Sequence, residues 1–504
     1  ELGGILRTNN AFDTSFGTAA IRGVITAGGT ETSGTRELIV YNTSTSTPSF
    51  TNPNSAGGIV AGSPVVIMNS TIGIQPGMTL ANANFAPGTT VLSVDSLTQI
   101  TLSTNATANA QNQTFTAGSF VSGTTTLGSA QITMNSTAGI APGMTLTGTG
   151  IPAGTYVVSV DSPTQVTLSQ VATAAGSALS FTVGMSNMII NSVIADNGAG
   201  NKVSFVKSGT GIVNLSANNT YTGGTVVDQG TLNLIGSGVV LPAGGLTINN
   251  AVVTMLTNVG QIDASNDVTL VGSSTLTLAG GLGLNNTLKS ITFNNNGGSG
   301  TPTVTNQTNS ILTLTSSAPI TVTSSNASTV ATINGGFLAL GSGNNTFSIQ
   351  APTLNGQVYS QLAASLSISS AITGTGAKII KTDTGLLQLS GQNTFDGGMD
   401  VQGGGIILSA SSTSTVPNSL ASGPLGIGAV SFAAGTSLLV DNNSRTVANA
   451  LSFAGNPIFN NTGTNLPTLT LNGALSFGTL ATTGVVINIP TPFLNVVLGG
   501  PIAN

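Results

Sequence analysis

Carboxylates are the first residues to test for chemistry in this chain, because no Cys and no His are present. Thiolate nucleophiles, imidazole bases and Cys/His zinc sites are therefore excluded. Beyond residue 184 the acidic groups are Asp196, Asp228, Asp263, Asp267, Asp383, Asp396, Asp400 and Asp441, with no Glu. The closest in sequence are Asp263 with Asp267 and Asp396 with Asp400. Four residues along a strand place two side chains on one face roughly 13 Å apart. Paired glycosidase carboxylates stand about 5–9.5 Å apart. The expected role of these aspartates is solvated turn chemistry. Asp95 and Asp161 each precede a Ser in a tight turn. They are expected to bond their own turn backbone, with calcium ligation as the alternative. The repeated Asp-rich calcium nonapeptide is absent. Tyr41, Tyr156, Tyr221 and Tyr359 are too scattered for a sugar-stacking platform and are read as packing residues. Gly-rich stretches such as "GGLGLNN" are not followed by a helix pattern that would present amides to a phosphate. Asn-x-Ser/Thr triplets at Asn69, Asn105 and Asn135 follow from the Asn-, Ser- and Thr-rich composition. The sequence thus assigns no catalytic, cofactor-binding or metal-ligating residue, and no cofactor.

The elements that would position any site are strands. Charged residues make up 5% of the 504, with 9 basic and 14 acidic groups and a net charge of -5. Nine scattered cations release few counterions from phosphates, so nucleic acid is excluded as a partner. Val, Ile, Thr and Leu alternate with small polar residues, the two-residue period of strands. An apolar fraction of 39% supplies a core and argues against disorder. No run of 18 apolar residues predicts a spanning helix. The first residue, Glu1, leads to the expectation of a removed export signal.

Organisation along the chain is uneven. Residues 1–52 carry Glu1, Arg7, Asp13, Arg22, Glu31, Arg36 and Glu37, whereas no charge follows Arg445. Residues 1–52 are read as a charged segment, an inter-subunit strand or clasp. "MNSTIGIQPGMTLANANFAPGTTVLSVDSLTQITLS" (68–103) returns as "MNSTAGIAPGMTLTGTGIPAGTYVVSVDSPTQVTLS" (134–169), 66 residues on and without a gap. Pro-Gly and Asp-Ser turns between short strands predict two tandem antiparallel β modules, 53–118 and 119–184. The remainder is strand after short strand, with a final apolar stretch over 482–504.

A second repeat lies within that remainder. "KSGTGIVNLSANNTYTGGTVVDQGTLNLIG" (207–236) aligns with "KTDTGLLQLSGQNTFDGGMDVQGGGIILSA" (381–410), offset by 174. Lys207 pairs with Lys381, Gly211 with Gly385, Asn219 with Asn393, Tyr221 with Phe395, and Gly230 with Gly404. The frame Lys-x-Gly-x-Gly-x-x-x-Leu-x-Gly-x-Asn-x-Tyr-x-Gly-Gly-Thr resembles the autotransporter-associated β-strand repeat, also called the passenger-associated transport repeat. The second copy departs from it at Asp383, Asp396 and Met399. The resemblance implies an all-β chain whose 185–504 form a right-handed parallel β-helix exported to the cell surface, with 185–481 as its body. A rung of about 20–25 residues at the roughly 4.8 Å strand spacing gives about 13–16 rungs.

The open ends of such a coil carry unpaired strand edges. Low charge leaves little repulsion between copies. The expected function is that of a secreted structural protein polymerising head to tail into an extracellular filament or sheath, its partner being itself. Residues 482–504 serve as cap or joint. The alternatives are an adhesin whose duplicated modules bind a surface polysaccharide, and a polysaccharide-active enzyme.

Overall fold

The computed structural model describes residues 3–7, 14–16, 23–27, 34–42, 49–53, 58–69, 80–86, 89–96, 98–117, 119–134, 137, 145–152, 155, 157–168, 170–184, 188–255, 259–278, 285–294, 300–323, 329–354, 357–358, 362–416, 419–478 and 484–503. Among them there is no α-helix. The chain divides into two units, the first comprising 1–201, 206–217 and 229–236, and the second 202–205, 218–228 and 237–504.

In the first unit a parallel coil begins within the charged N-terminal segment. Strand Gly3–Arg7 pairs in parallel with Gly34–Asn42. Thr14–Phe16 pairs with Met188–Ile190, and Val24–Ile25 with Val193–Ile194. Met188–Ile190 pairs onward with strand Ile212–Leu215, which pairs with Thr231–Leu234. Parallel pairing is therefore found ahead of residue 185 as well. Strands within 1–52 join these parallel pairs, and Leu38 and Val40 offer the same alternating buried face as the later rungs.

The duplicated modules leave the coil after Asn42 and return before Met188. In the first copy Thr114–Ala117 pairs antiparallel with Ser49–Thr51 and Leu80–Ala81, while Gln99–Leu102 pairs with Val65–Ile67 and Val91–Ser96. The second copy is one six-stranded antiparallel sheet spanning Ser119–Thr125 to Gly176–Gly184. Register shifts at Val91/Ser93 and Val94/Ser96 recur at Val157/Ser159 and Val160/Ser162, the same 66-residue offset as the sequence. One apolar cluster joins both copies, with Phe115 and Phe181 fully buried. Strand Ser49–Thr51, which pairs within the first copy, lies just ahead of the module boundary expected at 53.

The second unit is a parallel β-helix. Its longest sheet runs from Thr225–Val227 through Leu246–Asn249, Asp267–Val271 and Ser290–Asn294 to Ile502–Ala503, twelve strands among the described residues. A second sheet stacks Val252–Met255, Thr275–Thr277, Thr303–Thr305, Ala331–Asn334, Ala364–Ile368, Leu386–Leu389, Gly405–Leu408, Ser437–Val440 and Ile458–Asn461. Partners Thr225, Leu246, Val268 and Ile291 recur every 21 to 23 residues, as a 20–25 residue rung requires. Later rungs are longer: Phe347 meets Lys381 only 34 residues on. The lengthening comes from excursions such as the antiparallel Thr353–Leu354/Gln357–Val358 hairpin.

Packing follows the pleat. Leu246, Val268, Ile291, Ile320 and Phe347 form one buried column, each contributed by a successive rung. Toward the last rungs the columns become aromatic. Phe432 stacks on Phe453 at 5.1 Å, Phe453 on Phe477 at 5.9 Å, and Phe459 meets Phe453 edge-on at 5.7 Å. Offset and edge-on geometries suit the ring quadrupole and add about 0.5–1.5 kcal/mol per pair. Outward positions carry Thr, Ser and Asn, so one face of each sheet is apolar and the other wet.

Candidate functional site: buried lysine corners and an exposed last rung

The repeated segments place their Lys inside the protein. Lys207 and Lys381 are both fully buried. Lys381 occupies the interior column between Phe347 and Val401. Its Nζ donates to the carbonyls of Thr382 at 2.9 Å, Asp383 at 2.6 Å and Gly403 at 2.9 Å. Lys207 Nζ donates to Ser208, Gly209 and Gln229, the last at 2.7 Å. Each ammonium thus ties the corner of one rung to the corner of the next, and three donors meet three acceptors. Those carbonyls can converge because Gly209 and Asp383 turn left-handed, with φ of 77° and 62°. Asp tolerates this region better than most residues, which accounts for the departure from Gly at 383. At Gly404, also left-handed, an added Cβ would stand 2.1 Å from the Gly385 carbonyl.

Burial pulls the amine of Lys207 down to about 8 and that of Lys381 down to about 7, with the Asp383 charge opposing the shift at Lys381. The remaining repeated residues are also structural. Asn393 accepts from the Ile372 N–H and donates to the Pro424 carbonyl, both at 2.7 Å. Asn219 donates to the Val240 carbonyl at 2.8 Å. Tyr221 is fully buried, its hydroxyl 2.6 Å from that of Thr225, and burial pushes it well above the usual phenol range. Phe395, its counterpart in the second copy, is likewise fully buried.

The aspartates are engaged one by one. Asp263 accepts from the Ser265 N–H and hydroxyl, and these hydrogen bonds lower its pKa. Asp267 is held below the usual carboxylate range by Lys289 at 2.7 Å and Ser290 at 2.5 Å. Asp396 accepts from the Gly376 N–H at 2.5 Å, whereas Asp400 pairs with Lys378 at 2.8 Å and accepts from Ser431. Asp441 forms a two-pronged pair with Arg445. Neither sequence pair acts as a unit, because each partner sits at a different place: a bend before the strand, and the strand itself. Asp95 accepts from the hydroxyl of Ser93 on its own strand at 2.6 Å and from that of Thr101 across the hairpin at 2.8 Å, and these bonds lower its pKa. Asp161 takes the equivalent Thr167 bond at 2.7 Å. Among the described residues no three His, Cys, Asp or Glu converge as a metal site. Tyr41 is exposed, while Tyr156, Tyr359 and Asn135 lie outside the described residues. Asn69 and Asn105 are exposed.

Two surfaces of the second unit stand out. A groove of about 510 Å³ runs over the outward side of its second sheet, lined by Val358, Leu386, Leu439, Ile458, Asn460 and others, with no ionisable side chain. It can hold a neutral ligand and offers no acid or base. The last rung is the other surface. Asn495–Leu498 pairs with Thr468–Leu471 and Ile502–Ala503 with Leu475–Ser476, and each of these last strands ends its sheet. Val486, Phe493, Val497 and Ile502 are 64%, 41%, 46% and 58% exposed there, a density of bare apolar side chains that the interior columns lack.

The sequence reading missed the role of the lysines. The signal was present: a Lys recurring at one position of each repeat in a chain with so few charges. No helix among the described residues is long and apolar enough to cross a membrane. No curated protein matches the chain. Two stretches, 205–234 and 379–408, match the family described as passenger-associated-transport-repeat. They contain both lysine corners, so the chain carries two matches to this repeat, each set among parallel strands.

Proposed function

We propose that this protein is a passenger-type structural element that polymerises head to tail outside the cell. The observation carrying the reading is the last rung: an uncharged edge on which Val486, Phe493, Val497 and Ile502 are exposed. Parallel strands ending their sheets offer unsatisfied N–H and C=O groups to another strand. At the other extreme of the sequence, Gly3–Arg7 also ends its sheet and pairs on one side alone among the described residues. A first-rung edge meeting a last-rung edge extends the same hydrogen-bond ladder. Such a heterologous contact need not close, so it propagates as a fibre.

The test uses the full chain with Val486→Lys and Val497→Lys combined. Both side chains point outward, so circular dichroism should be unchanged. Negative-stain microscopy and sedimentation over a concentration series are expected to show fibres for the parent and single particles for the variant. Fibres surviving in the variant would reject this joint, and a parent that stays monomeric at high concentration would reject polymerisation.

A further inference from the structure

The outward face of the second sheet in the second unit carries a two-dimensional array of hydroxyls. Thr275, Thr303, Thr332 and Ser367 form one column, linked rung to rung by parallel pairing and preceded by Val252. Thr254, Thr277, Thr305 and Asn334 form a second column two residues along each strand, and Ser369 follows Ser367 at the same spacing. The register is one to one from Val252 through Thr332, and all of the paired positions are part-exposed. Columns repeat every ~4.8 Å across rungs, and positions i and i+2 stand about 6.6 Å apart along the strand. Threonine is stiff at χ1, so its hydroxyl and methyl are fixed before anything binds. Thr303 and Thr332 make the same bond in successive rungs, each to the carbonyl two residues back, at 3.0 and 3.2 Å.

No charged side chain belongs to the array, so nothing in it complements an ionic polymer. What a neutral lattice of hydroxyls complements is a neutral lattice of donors and acceptors with matching periods. Oxygen rows on the prism faces of hexagonal ice repeat close to the rung spacing in one direction and at somewhat more than the two-residue strand spacing in the other. Each hydroxyl can anchor one lattice water, and each methyl can sit in a cage between them. Fixed side chains order these waters before contact, which removes part of the cost of immobilising them.

We infer that the face bearing Thr254, Thr275, Thr277, Thr303, Thr305 and Thr332 is an ice-binding surface. The longest sheet provides an internal comparison. It too has a hydroxyl column, Thr247, Thr269, Thr292, Thr321, Ser348 and Thr382. That column is flanked by the exposed Lys289–Asp267 ion pair, and its neighbouring column is broken by Val271. Ions hold water in shells unlike the ice lattice, so this face should not bind.

The experiment grows ice slowly from a solution of the full chain and measures the protein fraction taken into the solid, alongside inhibition of recrystallisation. The parent is expected to enter ice several-fold above an inert control protein. Thr277→Lys combined with Thr305→Lys should abolish uptake, and Thr269→Lys combined with Thr292→Lys should leave it intact. Should the first pair disturb the strand signal in circular dichroism, Thr277→Val with Thr305→Val replaces it and should reduce uptake at constant volume. Exclusion of the parent from ice overturns the inference, as does equal behaviour of the two faces. Retention on microcrystalline cellulose that depends on Thr277 and Thr305, without ice uptake, also overturns it and assigns the array to a neutral polysaccharide.

Discussion

At the residue scale, Lys207 and Lys381 show how a nearly uncharged protein uses its rare charges. A buried ammonium is costly unless every proton is matched, and here three carbonyls of two rungs match it. Removing the ammonium while leaving the carbonyls buried costs about 1–3 kcal/mol for each acceptor left unmade. Lys381→Met is therefore expected to destabilise the protein by at least ~2 kcal/mol, read as a lower denaturant midpoint; a parental midpoint would mean the carbonyls find water. The pH dependence has a definite sign. The folded amines titrate near 8 and 7, below the ordinary lysine value of 10.5. Between those values the unfolded chain binds more protons, so stability rises with pH. The amine keeps two donors when neutral, so the clamp itself survives. The thermal midpoint should increase from pH 7 to pH 10, and the Lys207→Met/Lys381→Met protein should lose that part of the increase. A parent whose midpoint rises no more than that of the double variant would rule out titration at these corners.

At the element scale, the unit of construction is the rung, and its corners are where sequence tolerance ends. Most rungs pass from one sheet to the next in very few residues, as from Val227 to Thr231. The step from Asn42 to Met188 is the same crossing with two modules spliced into it. Coil contacts close around the splice: Asn42 donates through Nδ2 to the Ile212 carbonyl at 2.7 Å and accepts from the Gly211 N–H at 2.6 Å. Replacing residues 45–185 with a short Gly/Ser link is thus expected to leave the coil folded, since its pairings are made without the modules. Far-ultraviolet circular dichroism and limited proteolysis check this; loss of a protease-resistant coil would show that the modules hold the first rungs in place. The modules share one apolar cluster, so they should persist or melt together.

At the scale of the whole molecule, the proposed polymerisation rests on the absence of charge at the last rung. The last rung is apolar, and no charged residue follows Arg445. Association through such a surface is driven by burial, which salt does not screen, unlike pairs of exposed charges. Polymerisation is expected to be insensitive to ionic strength and to weaken on cooling, where burial contributes less. Fibre mass measured by sedimentation at low and high salt tests this, and dissolution by salt would indicate that the N-terminal charges form the joint instead.

Much was legible without coordinates. Alternation of Val, Leu and Ile with Thr and Ser dictates strands with one dry face, and the 66-residue duplication dictates twin modules, because both are local properties of the chain. The repeat of Lys, Asn, aromatic and paired glycines identified the coil, since a corner demands those residues wherever it occurs. What sequence could not decide is pairing between residues far apart. Thr14–Phe16 lies beside Met188–Ile190 because closing a coil rewards contact across the spliced modules, and nothing local reports that. The same is true of the lysines, whose acceptors are backbone carbonyls that any residue could supply, and of Asp263 and Asp267, four residues apart but committed to separate partners. Strand character and repeat identity belong to the chain itself; the order of rungs, the buried corners and the exposed edge exist only once distant segments stack.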